Sequence, residues 1–222
     1  MNQVLLSTIL GSGAGMLATA ALVRQCRKPG RLFARMMNSS HRSLTAWALR
    51  HVPLAEDAVI LDVGCGGGAT IRELAGLAPR GKVFGIDYSA ASVAVACRTN
   101  AALIEAGRVD VRHGSVSRLP FGDGTFDAVT AVETHYYWPD LESDLREVRR
   151  VLRPGGRLAV VAESYRGKRA GVAGAAVMRM LGGRIRTAAG HRDAFLAAGF
   201  TGVEVHEDES RGWLCVVGMD GG

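Results

Sequence analysis

Residues 58–70 read AVILDVGCGGGAT: apolar positions around one aspartate, then four glycines within five residues. An unbroken apolar run of this length marks a strand covered on both faces. Glycines packed so densely behind it mark a backbone that takes positive φ and lets a ligand approach closely. A strand buried on both sides needs helices above and below it, so the chain is confined to layered α/β architectures.

The rest of the chain keeps that alternation. ATIRELAGLA reads as a helix, KVFGIDYS as a second strand, and AASVAVACRTNAALIEAG as one helix closed by Gly107. VDVRHGS is a third strand, and FDAVTAVET a fourth after the turn Gly122-Asp123-Gly124. DLESDLREVRRVL is a helix with acids first and bases last, as the helix dipole prefers. Pro154-Gly155-Gly156 is expected to turn the chain into a fifth strand, RLAVVAE. After an interruption over 164–190, HRDAFLAAG reads as a helix, and TGVEVHED and WLCVVGM as the last strands. That rhythm predicts a Rossmann-like, doubly wound sheet between two helix layers, three layers in all. The last two strands are joined too tightly for a parallel crossover and must form a hairpin.

Ligands of such sheets sit beyond the carboxyl ends of the strands, where strand order reverses. Gly64, Gly66 and Gly68 lie at that place. Read as Gly64-x-Gly66-x-x-Ala69 with Asp87 about 20 residues on, the turn also satisfies the dinucleotide fingerprint. Two features favour S-adenosylmethionine over a dinucleotide. Asp62 stands two residues ahead of the first glycine, which the dinucleotide pattern does not ask for, and a terminal hairpin is foreign to dinucleotide topology.

Several segments agree in order and spacing with one family. ILDVGCGGG, GKVFGIDYS, LPFGDGTFDAV and LREVRRVLRPGGRL, within residues 57–219, resemble the successive motifs of the class I S-adenosylmethionine-dependent methyltransferases. That resemblance implies a seven-stranded sheet in the order 3-2-1-4-5-7-6 with strand 7 antiparallel. It also implies that Gly64, Gly66 and Gly68 line the methionine part of the cofactor with Asp62 beneath them. Asp87 would accept both ribose hydroxyls, and Tyr88 would pack on the adenine. One departure stands out. Where many members carry an aspartate for the adenine amine, this chain has Ser115, followed by Val116.

Methyl transfer is an in-line displacement, so alignment contributes most, and a base is needed only for an acceptor that must lose a proton. The candidates lie just past the fourth and fifth strands. His135 is the first candidate for a base, since its ordinary pKa is near neutrality. Glu133 and Glu163 are alternatives, either as a base or as partners of the methionine ammonium. Tyr136, Tyr137 and Trp138 form an aromatic run that reads equally as a cleft wall, a cation-holding face or core.

The flanks carry the remaining signals. Residues 4–23 hold no charged side chain and are followed by RQCRK. Twenty such residues in a helix match the hydrocarbon thickness of a bilayer, and the basic flank would face the cytoplasm. Residues 1–23 are therefore read as a hydrophobic helix and membrane anchor, 24–56 as a basic connector ending in an amphipathic helix at HRSLTAWALRHV, and 57–222 as the catalytic domain. The protein belongs on the cytoplasmic side of a membrane, or in the cytoplasm if that helix is buried. The net charge of +6 is concentrated: Arg24–Arg50 and Ser164–Arg192 each carry seven Lys/Arg and no acid, leaving 13 bases against 21 acids elsewhere. The second segment is expected to form a basic cap over 164–190. With few aromatics among the bases, a nucleic-acid platform is disfavoured, and the basic surface suits a small acidic or lipid-soluble acceptor. An RNA methyltransferase and a non-catalytic, membrane-tethered relative are the rival readings. Cys26, Cys65, Cys97 and Cys215 are far apart, with no metal-ligand spacing.

Overall fold

The computed structural model describes residues 42–163, 165 and 182–222. The expected anchor at 4–23, the connector to residue 41 and most of the basic segment at 164–190 lie outside the described residues.

Seven strands form one sheet: β1 (Val59–Val63), β2 (Lys82–Asp87), β3 (Val109–His113), β4 (Phe126–Val132), β5 (Leu152–Ala162), β6 (Phe200–Asp208) and β7 (Trp213–Asp220). Their spatial order is β3-β2-β1-β4-β5-β7-β6. β1 to β5 run parallel, and β7 runs antiparallel to both β5 and β6. The terminal hairpin is therefore present, and the order is the one the resemblance implied. Strand order reverses between β1 and β4, which puts the glycine turn after β1 at the switch point.

Side-chain alternation divides the core between the two faces, as a period of two requires. Leu61, Val63, Leu158, Val160, Leu214 and Val216 face one layer, formed by α5 (Leu141–Val151) and α6 (Ala188–Ala197). Ile60, Val83 and Ala128 face the other, under α2 (Ala69–Leu77) and α3 (Ala90–Thr99). On that second face, Ala159, Val161, Trp213, Cys215 and Val217 are covered by α1 (Arg42–Leu49), the amphipathic helix expected from the sequence, through Leu44, Trp47 and Ala48. α5 buries Leu141, Leu145, Val148 and Val151 at helical spacing. Its N-cap, Asp140, accepts from Ser143 N at 2.9 Å, while buried Asp144 accepts from Asp140 N, a reciprocal cap.

Two expectations are corrected. The single helix expected over 90–107 is broken at Asn100 into α3 and a short α4 (Ala101–Glu105). The buried Asn100 amide donates to Gly68 O as well as to Ala96 O, and its backbone, at φ −113° and ψ 20°, leaves helical geometry. The turn expected at Pro154-Gly155-Gly156 lies inside β5. Leu152 already pairs with Phe126, and β5 runs on to Arg157 while β4 advances only to Ala128. Gly155, at φ +78°, supplies the conformation that this irregularity needs.

Candidate active site

The glycine turn is built from three positive φ values: Gly64 at +71°, Gly66 at +52° and Gly68 at +80°. Each glycine is bare for a different reason. A Cβ on Gly64 would lie 2.0 Å from Thr134 Oγ1, and one on Gly68 would lie 2.5 Å from Asn100 Nδ2. A Cβ on Gly66 would meet nothing within 4 Å, so that glycine faces open space. Gly64 N and Cys65 N both donate to Ile86 O, which fastens the turn to the end of β2.

Asp87, the last residue of β2, is 6 % exposed. Its Oδ2 accepts from Gly66 N at 2.9 Å and its Oδ1 from Ser89 N at 2.8 Å. Each oxygen keeps a further lone pair, which is the donor-seeking geometry that a vicinal diol satisfies. Burial raises the Asp87 carboxyl above its usual range, against those two backbone bonds. Beneath the turn, Asp62 is buried more deeply and accepts from Thr130 Oγ1 on β4 at 2.8 Å. Burial pushes its carboxyl up to about 7, with the Thr130 bond opposing and the Asp87 charge adding.

Of the adenine-side candidates, Tyr88 is three-quarters exposed, and its carbonyl accepts from His113 Nε2 at 2.9 Å. Ser115 is exposed, its hydroxyl accepting from Ser117 N, whereas Val116 is buried in the core.

Beyond β4 the chain makes a short 3-10 turn at His135–Tyr137. Glu133, which leads into it, is the single non-glycine residue at positive φ (+56°) among the described residues. A non-glycine residue there costs about 1–3 kcal/mol and persists only when its surroundings hold it. Glu133 N donates to Val161 O at 3.0 Å, and Glu133 Oε1 accepts from Tyr136 Oη at 2.8 Å and from Glu163 N. The carboxylate therefore ties the ends of β4 and β5 to the turn between them. Glu163 accepts from Trp213 Nε1 at 3.0 Å. The aromatic run divides: Tyr136 and Trp138 are core, while Tyr137 is 46 % exposed. Burial pushes the Tyr137 phenol above its usual range, with the nearby Glu133 and Tyr88 adding, so it stays protonated.

His135 is buried, with its ring centroid 4.2 Å from that of Tyr136. Its Nε2 lies 2.9 Å from Nε2 of His191 on α6, and its buried Nδ1 has no hydrogen-bond partner. Burial, followed by the charges of His191 and Arg186, holds it well below the usual histidine range, so the ring is neutral.

Four contributors were not among the expected site residues: Thr130, Thr134, Asn100 and His191. Asn100 Nδ2 donates to Gly68 O and Ala96 O at 2.9 and 3.0 Å, which locks the far side of the turn. Its signal was available, as a lone asparagine within an alanine-rich helical run. Thr130 and His191 sit on elements far along the chain and give no local sign, whereas Thr134 stands between Glu133 and His135 in the polar run after the fourth strand.

A seven-stranded sheet in this order ending in a hairpin, with a bare glycine turn and a buried carboxylate at its switch point, matches the fold of the class I S-adenosylmethionine-dependent methyltransferases. The comparisons agree: residues 61–160 match the family model described as "Methyltransferase domain", which supports a class I S-adenosylmethionine-dependent methyltransferase. It is 36 % identical over 126 residues to a demethylmenaquinone methyltransferase of Lactiplantibacillus plantarum, covering 56 % of this chain and 53 % of that protein. It is 39 % identical over 101 residues to the O-methyltransferase cnsE of Penicillium expansum, covering 46 % and 36 %. The chain thus spans about half or less of the length of these relatives. Among solved structures, an Aquifex aeolicus SAM-dependent methyltransferase superposes with a TM-score of 0.71 at 20 % identity, over 86 % of this chain and 98 % of that one. Human N-acetylserotonin methyltransferase in complex with SAM gives 0.70 at 18 %, over 86 % and 56 %. The cofactor of the class is S-adenosylmethionine.

Proposed function

We propose that this protein is a methyltransferase that transfers the methyl group of S-adenosylmethionine to a small, lipophilic or acidic molecule. The observation that carries this reading is the Asp87 carboxylate, fixed by two backbone N–H groups directly beside the open face of Gly66. When bound, the cofactor supplies an electrophilic methyl on a sulfonium. In this reading Asp87 takes the ribose hydroxyls, Gly66 clears room for the methionine portion while Gly64 lets the turn close on Thr134, and Asp62 supports the floor from below. Tyr88 covers the adenine, with Ser115 at its amine edge and Val116 packed behind.

The three candidates for proton transfer differ in what they have left to offer. Glu133 holds two donors that brace the site, and Glu163 holds Trp213. His135 alone presents a neutral nitrogen whose lone pair is unpartnered, so it is the group that takes a hydrogen bond from an acceptor hydroxyl as the oxygen attacks. Relatives named for quinone and O-methyl chemistry support a small aromatic acceptor, as does the partly exposed Tyr137 at the same end of the sheet. No helix among the described residues is long and apolar enough to cross a membrane. The stretch at 4–23 is outside them, and we retain it as the anchor. Deleting residues 1–23 then moves the protein from the membrane to the soluble fraction.

Calorimetric titration of the purified protein with S-adenosylhomocysteine, and separately with NADH, tests the cofactor reading. Only the first should bind. In Asp87→Ala two charge-assisted bonds of about 1.5–3 kcal/mol each are lost, which weakens affinity by at least about 100-fold. Unchanged affinity in a folded Asp87→Ala protein overturns the ribose assignment.

A further inference from the structure

We infer that His191 is a positioning residue that fixes His135 as the Nε2–H tautomer and so leaves Nδ1 as the acceptor nitrogen of the site. His191 opens α6, whose N-cap is Thr187; Thr187 Oγ1 accepts from Gly190 N at 2.9 Å. The Thr187 carbonyl accepts from His191 N and also lies 2.9 Å from His191 Nδ1. A carbonyl oxygen can only accept, so His191 Nδ1 carries the hydrogen. In a neutral imidazole the other nitrogen is then the acceptor, and His191 Nε2 offers its lone pair to His135 Nε2 at 2.9 Å. His135 must therefore donate from Nε2, and its Nδ1 is left with a lone pair. That Nδ1 is the buried atom with no partner.

The direction of this chain of hydrogen bonds is set at one end by a backbone carbonyl, which does not titrate. Both rings are kept neutral by burial, with Arg186 opposing a positive charge on each. Tyr136, tilted against His135, donates its hydroxyl hydrogen to Glu133 and so does not compete for the ring nitrogens. The arrangement is a base held by a second group behind it, with a histidine in the place that a carboxylate often takes. The partner's identity has a consequence. A carboxylate would add negative charge and raise the basicity of His135. A neutral His191 fixes the tautomer without that push, so His135 serves as a hydrogen-bond acceptor for an already acidic hydroxyl rather than as a strong base.

The role of His135 at the acceptor rests on the proposed activity, whereas the tautomer does not, and this separates the tests. Two-bond 15N–1H correlation spectra of the full chain, with 15N-labelled histidine, read each ring directly. In the parent protein His135 should show a protonated Nε2 and a pyridine-type Nδ1, and His191 the reverse. His191→Gln, whose amide oxygen can occupy the acceptor position, should keep the His135 pattern. His191→Phe should abolish it, giving mixed or inverted nitrogen signals, and circular dichroism checks that the protein is folded. A protonated Nδ1 on His135 in the parent protein overturns the inference, and so does an unchanged His135 pattern in folded His191→Phe. Should His191→Phe fail to fold, the parent and Gln spectra decide alone. Failure to bind S-adenosylhomocysteine would remove the methyltransferase reading and leave the tautomer standing.

Discussion

Asp62 makes the stability of this protein fall as the medium becomes less acidic. Its carboxyl is buried under the glycine turn and pushed up to about 7, against about 3.9 in an unfolded chain. Between these values the folded protein holds a proton that the unfolded chain has released, so stability falls as pH rises through this window and levels off above it. At 1.36 kcal/mol per pKa unit, the gap sets a ceiling of about 4 kcal/mol on the cost at and above neutral pH. Asp62→Asn has no proton to lose there and keeps a neutral oxygen for the Thr130 hydroxyl. Urea unfolding followed by tryptophan fluorescence, in steps from about pH 4 to about pH 8, compares the two proteins. Asp87 and Glu73, raised by burial as well, titrate in both and largely drop out of the difference. The variant should gain on the parent as pH rises, by up to about 4 kcal/mol. A difference that does not change with pH would refute a raised Asp62.

Other consequences concern the turn and its supports. Gly66→Ala should cost only about 1 kcal/mol of stability, the price of its positive φ, yet lose S-adenosylhomocysteine affinity because the new methyl enters the open space. Gly64→Ala drives a methyl into Thr134 and should destabilise by more than 2 kcal/mol, on the order of core overpacking plus strain; chemical denaturation separates the two. Glu133→Ala unties the ends of β4 and β5 from the turn between them, and should lose about 1–3 kcal/mol together with the anchoring of Tyr136, the latter seen as a change in near-ultraviolet circular dichroism. Asn100→Ala should loosen Gly68 and cost about 1–3 kcal/mol, visible as faster amide exchange across 64–68.

What the sequence disclosed and what it withheld have separate physical origins. The glycine turn and the place of Asp87 at the end of β2 were legible because positive φ and a strand-end carboxylate are both written locally. The hairpin was legible because a short connection admits only one strand polarity. Asn100 was read through as helix, since its side chain is satisfied by Gly68 O, 32 residues earlier. Glu133 was legible as a residue type but not as a brace, because its donors come from Tyr136 and from the end of β5. His135 was marked by its chemistry, yet its tautomer is set by a residue 56 positions later, beyond any local pattern.

The described residues on either side of the stretch 166–181 are fastened to the fold. Before it, Tyr165 is buried and donates its hydroxyl to Glu207 at 2.8 Å. After it, Arg184 donates its backbone N–H to Tyr136 O and its guanidinium to Pro139 O, ahead of the His191 contact. Both moorings belong to the framework of strands and turns that carries the candidate site residues. A change at Tyr165 or Arg184 is therefore felt at β6 and in the turn that carries His135.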